Sequence, residues 1–269
     1  MFAVVAIGLL ISVLFLFGLG CVAVFQVAFS APPTHHDNAR WQPPLARGED
    51  LLAWAAGLAN AVARKKLRQP VGKETARELA AEIYEGSSYA MARSPGAVRP
   101  LKPRCTSCRH RMIGVTAPEA LAIADALQAS QGKRELKRIR DLAAANAAAS
   151  ADLNHEHYKQ AQLPCPLLAS DSTCVVYDAR PIRCRGWYSP ASETESSAEA
   201  SGNCGKCDPR ADAVGRGAEE GLSLALRTAG LDSDVYELNS ALVASLDTAH
   251  AAERWAHGEA IFAGCHQYA

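Results

Sequence analysis

The sequence has no excess of charge of either sign: 28 basic and 28 acidic side chains leave its 269 residues with a formal net charge of zero. Without a basic excess, no long-range field would draw the chain to a phosphate backbone, so we expect no nucleic-acid partner. One basic cluster follows a predicted helix and is typical of a solvated helix end, with contact to anionic lipid headgroups as the alternative. Its members are Arg64, Lys65, Lys66 and Arg68.

Motifs of several enzyme classes are also missing. The chain has no P-loop, no G-x-G-x-x-G after a predicted strand and no G-x-S-x-G. These absences argue against P-loop nucleotide hydrolysis, dinucleotide binding and the nucleophile elbow of hydrolases. His155-Glu156-His157 is not H-E-x-x-H, because its two histidines lie on different helix faces, so a zinc protease is excluded as well. Whether the chain is an enzyme stays open at this level.

The N-terminus has no charged residue before Asp37. From Phe2 to Ala31 it is almost wholly apolar, and a helix of that length exceeds the roughly 30 Å hydrocarbon core of a bilayer. The polar exceptions are Ser12, Gln26 and Ser30. This pattern predicts a transmembrane anchor over residues 1–31 and a membrane as partner. A cleaved signal peptide is the competing interpretation, but it requires a basic n-region and a shorter apolar run.

The positions of nearby arginines predict the orientation of this span. None precedes it, whereas Arg40 and Arg47 follow it. Because positive residues favour the cytoplasmic side, we expect a single-pass membrane protein whose soluble domain lies in the cytoplasm. The reducing environment there would keep the cysteines outside the span as thiols.

Proline content and helical periodicity divide the rest of the chain. Residues 32–49 are typical of a juxtamembrane linker, and residues 50–269 of a helical domain. Helices are predicted over about 50–62, 73–91, 117–127, 133–149, 210–229 and 232–262. Residues 163–185 contain too many prolines for a continuous helix, and Cys174–Tyr177 predicts a short strand there. Residues 189–201, rich in serine and glutamate, predict a disordered loop.

Eight cysteines lie outside the predicted span, and their spacing is the strongest signal in the sequence. Two pairs have the C-x-x-C spacing, which lets two thiolates on one turn reach the same metal ion at about 2.3 Å. Three further cysteines lie in the proline-rich segment 163–185, and one lies near the C-terminus. We predict that the metal ligands are Cys105, Cys108, Cys165, Cys174, Cys184, Cys204, Cys207 and Cys265.

Two other interpretations of these cysteines are available. Buried free cysteines that act as small hydrophobes would lie on apolar helix faces, whereas most of these lie beside Pro, Gly, Ser, Arg or Lys in predicted loops. A disulfide framework would suit an exported domain with an even number of cysteines, against the predicted orientation. An exported, disulfide-stabilised structural domain is therefore the alternative to metal binding.

Basic residues around Cys184 fit an anionic site. A centre of four thiolates carries net negative charge, and Arg180, Arg183 and Arg185 bracket Cys184 as they would if they offset that charge. Pairing with surface carboxylates is the plain alternative, and for Arg183 it is as good an explanation. His110, which follows the first C-x-x-C pair, is a candidate nitrogen ligand.

The order of motifs in this part of the chain resembles a known family. Four short motifs are similar to the pattern C-P-x-L, C-x-I-Y and R-P-x-x-C-R of the YkgJ-type cysteine-cluster family, and they are Leu163–Leu168, Cys174–Tyr177, Arg180-Pro181 and Cys184-Arg185. That family is described as a zinc- or iron-chelating domain, and the flagellin lysine N-methylases look like its relatives. Its upstream element C-x-x-C-x-x-C-C is incomplete here, because Arg111 and Met112 stand where the last cysteine pair would be.

Together these patterns predict a mainly α protein with an N-terminal transmembrane helix, followed by a helical domain with an irregular cysteine-rich metal-binding segment. The cofactor would be zinc, which is redox-silent, or an iron-sulfur cluster, which could carry electrons. Spacing does not separate the two, and the resemblance favours iron-sulfur. The predicted function is membrane-anchored metal binding with a redox or metal-handling task. A protein-lysine N-methylase-like enzyme is the alternative that the resemblance implies, and the sequence indicates no protein partner or substrate.

Overall fold

Helices make up most of the computed structural model, which describes residues 38–44, 49–93, 99–100, 110–171, 173–185, 187–189 and 206–268. The predicted mainly α fold is confirmed. The α-helices of these residues are α1 (Glu49–Leu67), α2 (Thr75–Ala92), α3 (Ala117–Ser130), α4 (Lys133–Ser150), α5 (His155–Ala161), α6 (Ile182–Arg185), α7 (Pro209–Thr228), α8 (Leu238–Asp247) and α9 (Ala251–Ala256). Short 3₁₀ turns span Asn38–Trp41 and Tyr177–Ala179. The strands are β1 (Arg99–Pro100), β2 (Gly114–Thr116), β3 (Trp187–Ser189), β4 (Lys206–Cys207) and β5 (Val235–Glu237).

The prediction of a single-pass membrane protein is wrong for the part of the chain that the structure describes. None of the described helices is long and apolar enough to cross a bilayer. Each of those with 18 or more residues carries several charged side chains, and a charge at the bilayer centre costs about 3 kcal/mol. The span predicted over residues 1–31 lies outside the described residues. The predicted membrane partner, and the cytoplasmic placement that depended on the span, therefore have no support in the structure.

The α1 and α7 helices pack closely because glycines of α7 face the backbone of α1. A Cβ built on Gly217 would lie 2.3 Å from the carbonyl oxygen of Leu52, and one built on Gly221 would lie 2.1 Å from that of Ala56. Both distances are far shorter than any non-bonded contact, so only glycine fits at these two positions. This helix pair forms the centre of the described domain.

The remaining helices bury their apolar faces against this pair and against each other. Fully buried side chains include Leu79 and Ile83 of α2 and Leu127 of α3. Trp41 belongs to the segment that the sequence assigns to a linker, yet it is only 2% exposed. It lies so close to Gly86 of α2 that a Cβ there would meet the indole ring at 2.1 Å. Part of the predicted linker thus contributes to the core.

A strand replaces the first part of the helix predicted over residues 232–262. β5 pairs antiparallel with β2, with Val115 opposite Tyr236. The chain then continues as α8, turns at His250, which has a φ of 55°, and resumes as α9. The prediction of one long helix is wrong because the backbone of β5 finds its hydrogen-bond partners in β2, and the Tyr236 ring stacks on Phe262 at a centroid distance of 5.2 Å.

A second antiparallel sheet, in the order β1-β3-β4, joins three distant parts of the chain. Pro100 pairs with Tyr188, and Trp187 pairs with Cys207. The disordered loop predicted over 189–201 follows β3 and, apart from Ser189, lies outside the described residues. Each strand of this sheet adjoins a cysteine-bearing segment, so the sheet bears directly on the candidate site.

We expect Gly221→Ala to destabilise the protein by about 2 kcal/mol or more, because the new methyl group would have to push α7 away from α1. Gly57→Ala is the matched control, since Gly57 is an exposed glycine inside α1 with no atom within 4 Å of the place that an added methyl group would occupy. Its substitution should stabilise by about 0.5–1 kcal/mol through helix propensity alone. Urea denaturation of both variants measures the two effects, and equal changes in both would contradict the close packing.

Candidate metal centre

The structure describes the side chains of four of the eight predicted metal ligands. Cys165, Cys174, Cys184 and Cys265 are thiols outside any disulfide, each half-buried and packed against the edge of the core. Cys207 is described by its backbone alone, as the second residue of β4. The remaining three, Cys105, Cys108 and Cys204, lie outside the described residues. Among the described residues, no group of three or more His, Cys, Asp or Glu side chains is arranged to hold a metal ion.

Side chains of α4 hold the first part of the cysteine-rich segment. The Asn146 amide donates to the carbonyl of Pro164 at 2.7 Å, and the Arg138 guanidinium donates to that of Leu168 at 3.1 Å. These polar side chains satisfy carbonyl groups that proline-interrupted backbone leaves without helical partners. Cys165 lies between the two anchored positions, so its place beside α4 is fixed by hydrogen bonds at both ends.

Cys174 faces this first part across a narrow bridge. Leu168 and Cys174 form an isolated antiparallel bridge, and the Val175 amide donates to the Leu167 carbonyl at 2.9 Å. The chain then turns into the 3₁₀ helix Tyr177–Ala179. The short strand predicted over Cys174–Tyr177 is therefore wrong beyond its first residue, because the 3₁₀ turn ends the pairing.

Cys184 lies in the single turn of α6, whose residues are held from three sides. The Ile182 amide donates to Oε1 of Glu119 at 2.8 Å, and Arg183 forms a bidentate ion pair with Glu219 at 2.9 and 2.7 Å. Arg185 donates to the carbonyls of Arg180 and Asp178 and to the hydroxyl of Ser88. A four-residue helix is too short to be stable on its own backbone hydrogen bonds. The side chains of neighbouring elements therefore hold it in place.

Glu119 is the fully buried carboxylate that joins this turn to α3. One oxygen, Oε2, accepts from the amide and the hydroxyl of Thr116, both at 2.9 Å, and completes the capping box at the start of α3. Its other oxygen accepts from Ile182. Burial raises the pKa of Glu119 to about 7; the hydrogen bonds from Thr116 and Ile182 oppose that rise, and the charge of Glu219 adds to it.

Two of the cysteines lie within electrostatic reach of one buried cation. Burial raises the pKa of the Cys174 thiol, whereas the Val176 amide and the charges of Arg180 and Arg185 lower it. Burial lowers the pKa of Arg185, and the Cys184 sulfur opposes that change. Cys174 and Cys184 therefore both lie within electrostatic reach of the Arg185 guanidinium, although ten residues separate them in the chain. The predicted role of Arg185 and Arg180 fits this arrangement, whereas Arg183 is engaged with Glu219.

Cys265 has surroundings of the opposite charge. Burial raises the pKa of its thiol to about 11; a hydrogen bond from Ser240 lowers it, and Asp232 and Glu237 raise it further. A thiol among carboxylates keeps its proton, whereas a metal ligand must lose it. Burial raises the pKa of both Cys265 and Cys174, and the two sites differ in the charged groups around them: carboxylates near Cys265, and Arg180 and Arg185 near Cys174.

Chain connectivity and strand pairing tie the other predicted ligands to the same region. Nδ1 of His110 lies 3.3 Å from the carbonyl oxygen of Leu163, two residues before Cys165. In β-sheet pairing, Cys207 lies opposite Trp187, three residues after Cys184. His110, which follows the first C-x-x-C pair, therefore lies next to the proline-rich segment, and Cys207 of the second pair lies opposite a residue just after that segment.

Sequence reasoning missed three groups that shape this region. Glu119 is recognisable as a capping residue, but its bond to Ile182, 63 residues away, carries no local signal. Glu219 resembles any exposed residue of an amphipathic helix, and yet its side chain is only 5% exposed. Tyr84 fits the apolar stripe of α2, and the packing of its ring against the Arg185 guanidinium, at 4.3 Å, appears only in three dimensions.

We expect Glu119 to make stability depend on pH. The folded protein binds this proton with a pKa of about 7, against about 4.5 for an ordinary glutamate, so the stabilisation is complete below pH 4.5 and is lost as pH rises through 7. The loss is on the order of 3 kcal/mol. Glu119→Gln keeps a neutral acceptor for Ile182 and should remove this dependence, which urea denaturation at pH 5 and pH 8 would measure.

Glu220→Gln is the control for that experiment, because it makes the same substitution at an exposed glutamate, on the helix that also carries Glu219. The difference between the wild type and each variant isolates one carboxyl group from the other titrating residues. If the free energy of unfolding of Glu119→Gln falls between pH 5 and pH 8 as much as that of the wild type, the carboxyl group of Glu119 does not carry the effect.

In comparisons with known proteins, no family model, no curated protein and no solved structure matches the chain. The similarity to the YkgJ-type pattern is therefore a resemblance of motifs. What the site does has to be argued from the residues themselves.

Proposed function

We propose that this chain binds zinc or an iron-sulfur cluster through the thiolates of Cys165, Cys174 and Cys184, together with cysteines of the two C-x-x-C pairs. The observation that carries the proposal is a convergence within one short segment that bears three cysteines. Leu168, three residues after Cys165, bridges Cys174. Arg185, next to Cys184, donates to the carbonyls of Asp178 and Arg180. None of the four described cysteines forms a disulfide, so their sulfur atoms can serve as ligands. The resemblance to the YkgJ-type family supports the same assignment.

Distances along the chain support this convergence. Two residues of extended chain span at most about 7 Å, so Cys108 stays near His110, and Cys165 near Leu163. His110 and Leu163 are themselves in contact. Cys207 pairs with Trp187, which is three residues from Cys184. Described residues next to the first C-x-x-C pair and within the second thus lie near the segment that carries the described thiols.

The chemistry of the donor set suits a thiophilic metal. A site built from cysteine sulfur and few carboxylates selects zinc or iron-sulfur clusters over magnesium or calcium. Thiolates held together repel one another, and the guanidinium groups of Arg180 and Arg185 lie where they offset that repulsion. Zinc would hold the segments together without redox chemistry, whereas a cluster would supply electron transfer.

Cys265 is excluded from the proposed ligand set. Its pKa of about 11 and its carboxylate neighbours disfavour the thiolate form that a metal requires. The proposed set is therefore smaller than the eight cysteines that the sequence suggests.

Anaerobic purification of the full chain, followed by metal and sulfide analysis and a visible spectrum, tests the proposal. Broad visible absorption with iron and sulfide indicates a cluster, and colourless protein with zinc indicates a zinc site. Metal-free protein without titratable thiols would instead support an exported, disulfide-stabilised structural domain. Metal-free protein with titratable thiols that cannot be loaded with zinc or iron would also contradict the proposal.

Single substitutions test which cysteines bind. We expect Cys174→Ser and Cys184→Ser to lower metal affinity by at least about 10-fold, because even changes outside the ligand set commonly cost 10–100-fold. Cys265→Ser is the matched control, a half-buried cysteine among carboxylates, and should retain the wild-type affinity. Competition with a chromophoric zinc chelator measures all three. A loss confined to Cys265→Ser would overturn the assignment.

A further inference from the structure

Two hydrogen-bond donors near Cys174 and Cys184 are buried and lack a partner within the part of the chain that the structure describes. They are the hydroxyl group of Tyr84 and Nε of Arg180. A buried polar group without a hydrogen bond costs free energy, so native proteins keep few of them. Here two such groups lie in one region, and both are donors. They indicate an acceptor that the described protein atoms do not supply.

The Tyr84 side chain contacts a residue of the turn that carries Cys184. Its ring packs against the guanidinium of Arg185, the residue after Cys184, with 4.3 Å from Cζ to the ring centroid. Tyr84 is 5% exposed. Burial raises its pKa well above the ordinary value, and the charges of Glu119 and Cys184 add to that rise. A tyrosine hydroxyl is protonated at neutral pH, so this group is available as a hydrogen-bond donor beside the turn that carries Cys184.

Arg180 carries the second unpartnered donor, and the cysteine it is associated with is Cys174. Its guanidinium lies over the ring of Tyr177, 4.2 Å from the centroid, and its carbonyl accepts from Arg185 at 2.9 Å. Its charge lowers the pKa of the Cys174 thiol, so the guanidinium acts on that thiol electrostatically. One unpartnered donor thus lies within electrostatic reach of Cys184, and the other within reach of Cys174.

We propose that the Tyr84 hydroxyl and Nε of Arg180 donate hydrogen bonds to the sulfur atoms of the metal centre at Cys184 and Cys174. This inference rests on the proposed function. On metal binding each thiol releases its proton to solvent, and its sulfur becomes a stronger hydrogen-bond acceptor with a full negative charge to share. The two donors are then positioning residues that stabilise the metal-bound form and remain unsatisfied without it.

According to the proposal, one substitution affects the metal-free and the metal-loaded protein differently. Tyr84→Phe removes the hydroxyl group and keeps the ring against Arg185. In metal-free protein this removes an unsatisfied buried group, so thermal stability should be unchanged or higher. In metal-loaded protein it removes a hydrogen bond to the centre, and zinc affinity should fall about 10-fold, the lower end of effects from such outer donors.

Tyr236→Phe is the matched control, because Tyr236 is equally buried but its hydroxyl donates to the Asp232 carboxylate at 2.9 Å. Loss of that satisfied hydrogen bond should lower the thermal stability of the metal-free protein and leave zinc affinity unchanged. The two tyrosine variants therefore show opposite patterns, which a general effect of removing a buried hydroxyl group would not produce.

The experiment uses the purified full chain with zinc ions, a competing chelator, and thermal unfolding with and without metal. Arg180→Lys, which keeps the charge and loses Nε, is the second variant and should also weaken zinc binding. If the chain is purified with an iron-sulfur cluster, the reduction potential of Tyr84→Phe should become more negative than that of the wild type, since a donor to the cluster is lost.

The outcomes separate this inference from the proposed function. A wild type that cannot be loaded with zinc or a cluster overturns both. A wild type that binds metal, with Tyr84→Phe and Arg180→Lys at wild-type affinity or potential, overturns this inference alone. A drop in the metal-free stability of Tyr84→Phe equal to that of Tyr236→Phe would show that the hydroxyl group is already satisfied within the protein, and would likewise overturn it.

Discussion

The buried carboxylate of Glu119 is the interaction on which the order of the candidate site depends. It accepts three hydrogen bonds, two from Thr116 at the start of α3 and one from the Ile182 amide at the start of α6. Because a buried donor without an acceptor costs about 1–3 kcal/mol, removing this side chain would leave several costs in one place. The capping of a core helix and the position of Cys184 are therefore one structural feature. A disturbance at either end is transmitted to the other through a single side chain.

How much of this fold the sequence predicts depends on whether the signal is local. Thr116 and Glu119 form a capping box at the start of α3, and Asp208 with Pro209 starts α7, so both helices begin within a residue of the predicted positions. The region around Tyr236 was predicted as helix because its apolar residues fit helical spacing as well as a strand. Its true state depends on pairing with Val115, more than 100 residues earlier, and no local pattern reports such pairing.

In the candidate site, too, the sequence predicts what depends on local signals and misses what depends on long-range contacts. Cysteine spacing identifies the sulfur donors, because ligand geometry restricts which spacings can share a metal. It cannot distinguish Cys265 from Cys184, since the difference lies in neighbours brought by folding: Asp232 and Glu237 around the first, Arg185 beside the second. Sequence also predicts the arginines as a group, but only the structure shows that Arg183 is committed to Glu219. Which charged groups surround each cysteine is thus determined by the fold more than by the motif.

The way the cysteine-rich segment is held also bears on what a metal would do there. In small zinc-dependent domains the metal supplies the folding free energy, because few other contacts order the ligand loops. Here the described part of the segment is ordered by side chains of the surrounding helices: Asn146 holds Pro164, Glu119 holds Ile182, and Glu219 holds Arg183. Metal binding would therefore have little backbone left to order at Cys165 and Cys184, and the rearrangement that brings the sulfur atoms onto one metal ion would fall to the side chains. A backbone that is already fixed would limit the reorganisation that accompanies a change in the charge of a bound centre, and the redox task named in the proposal would require this property.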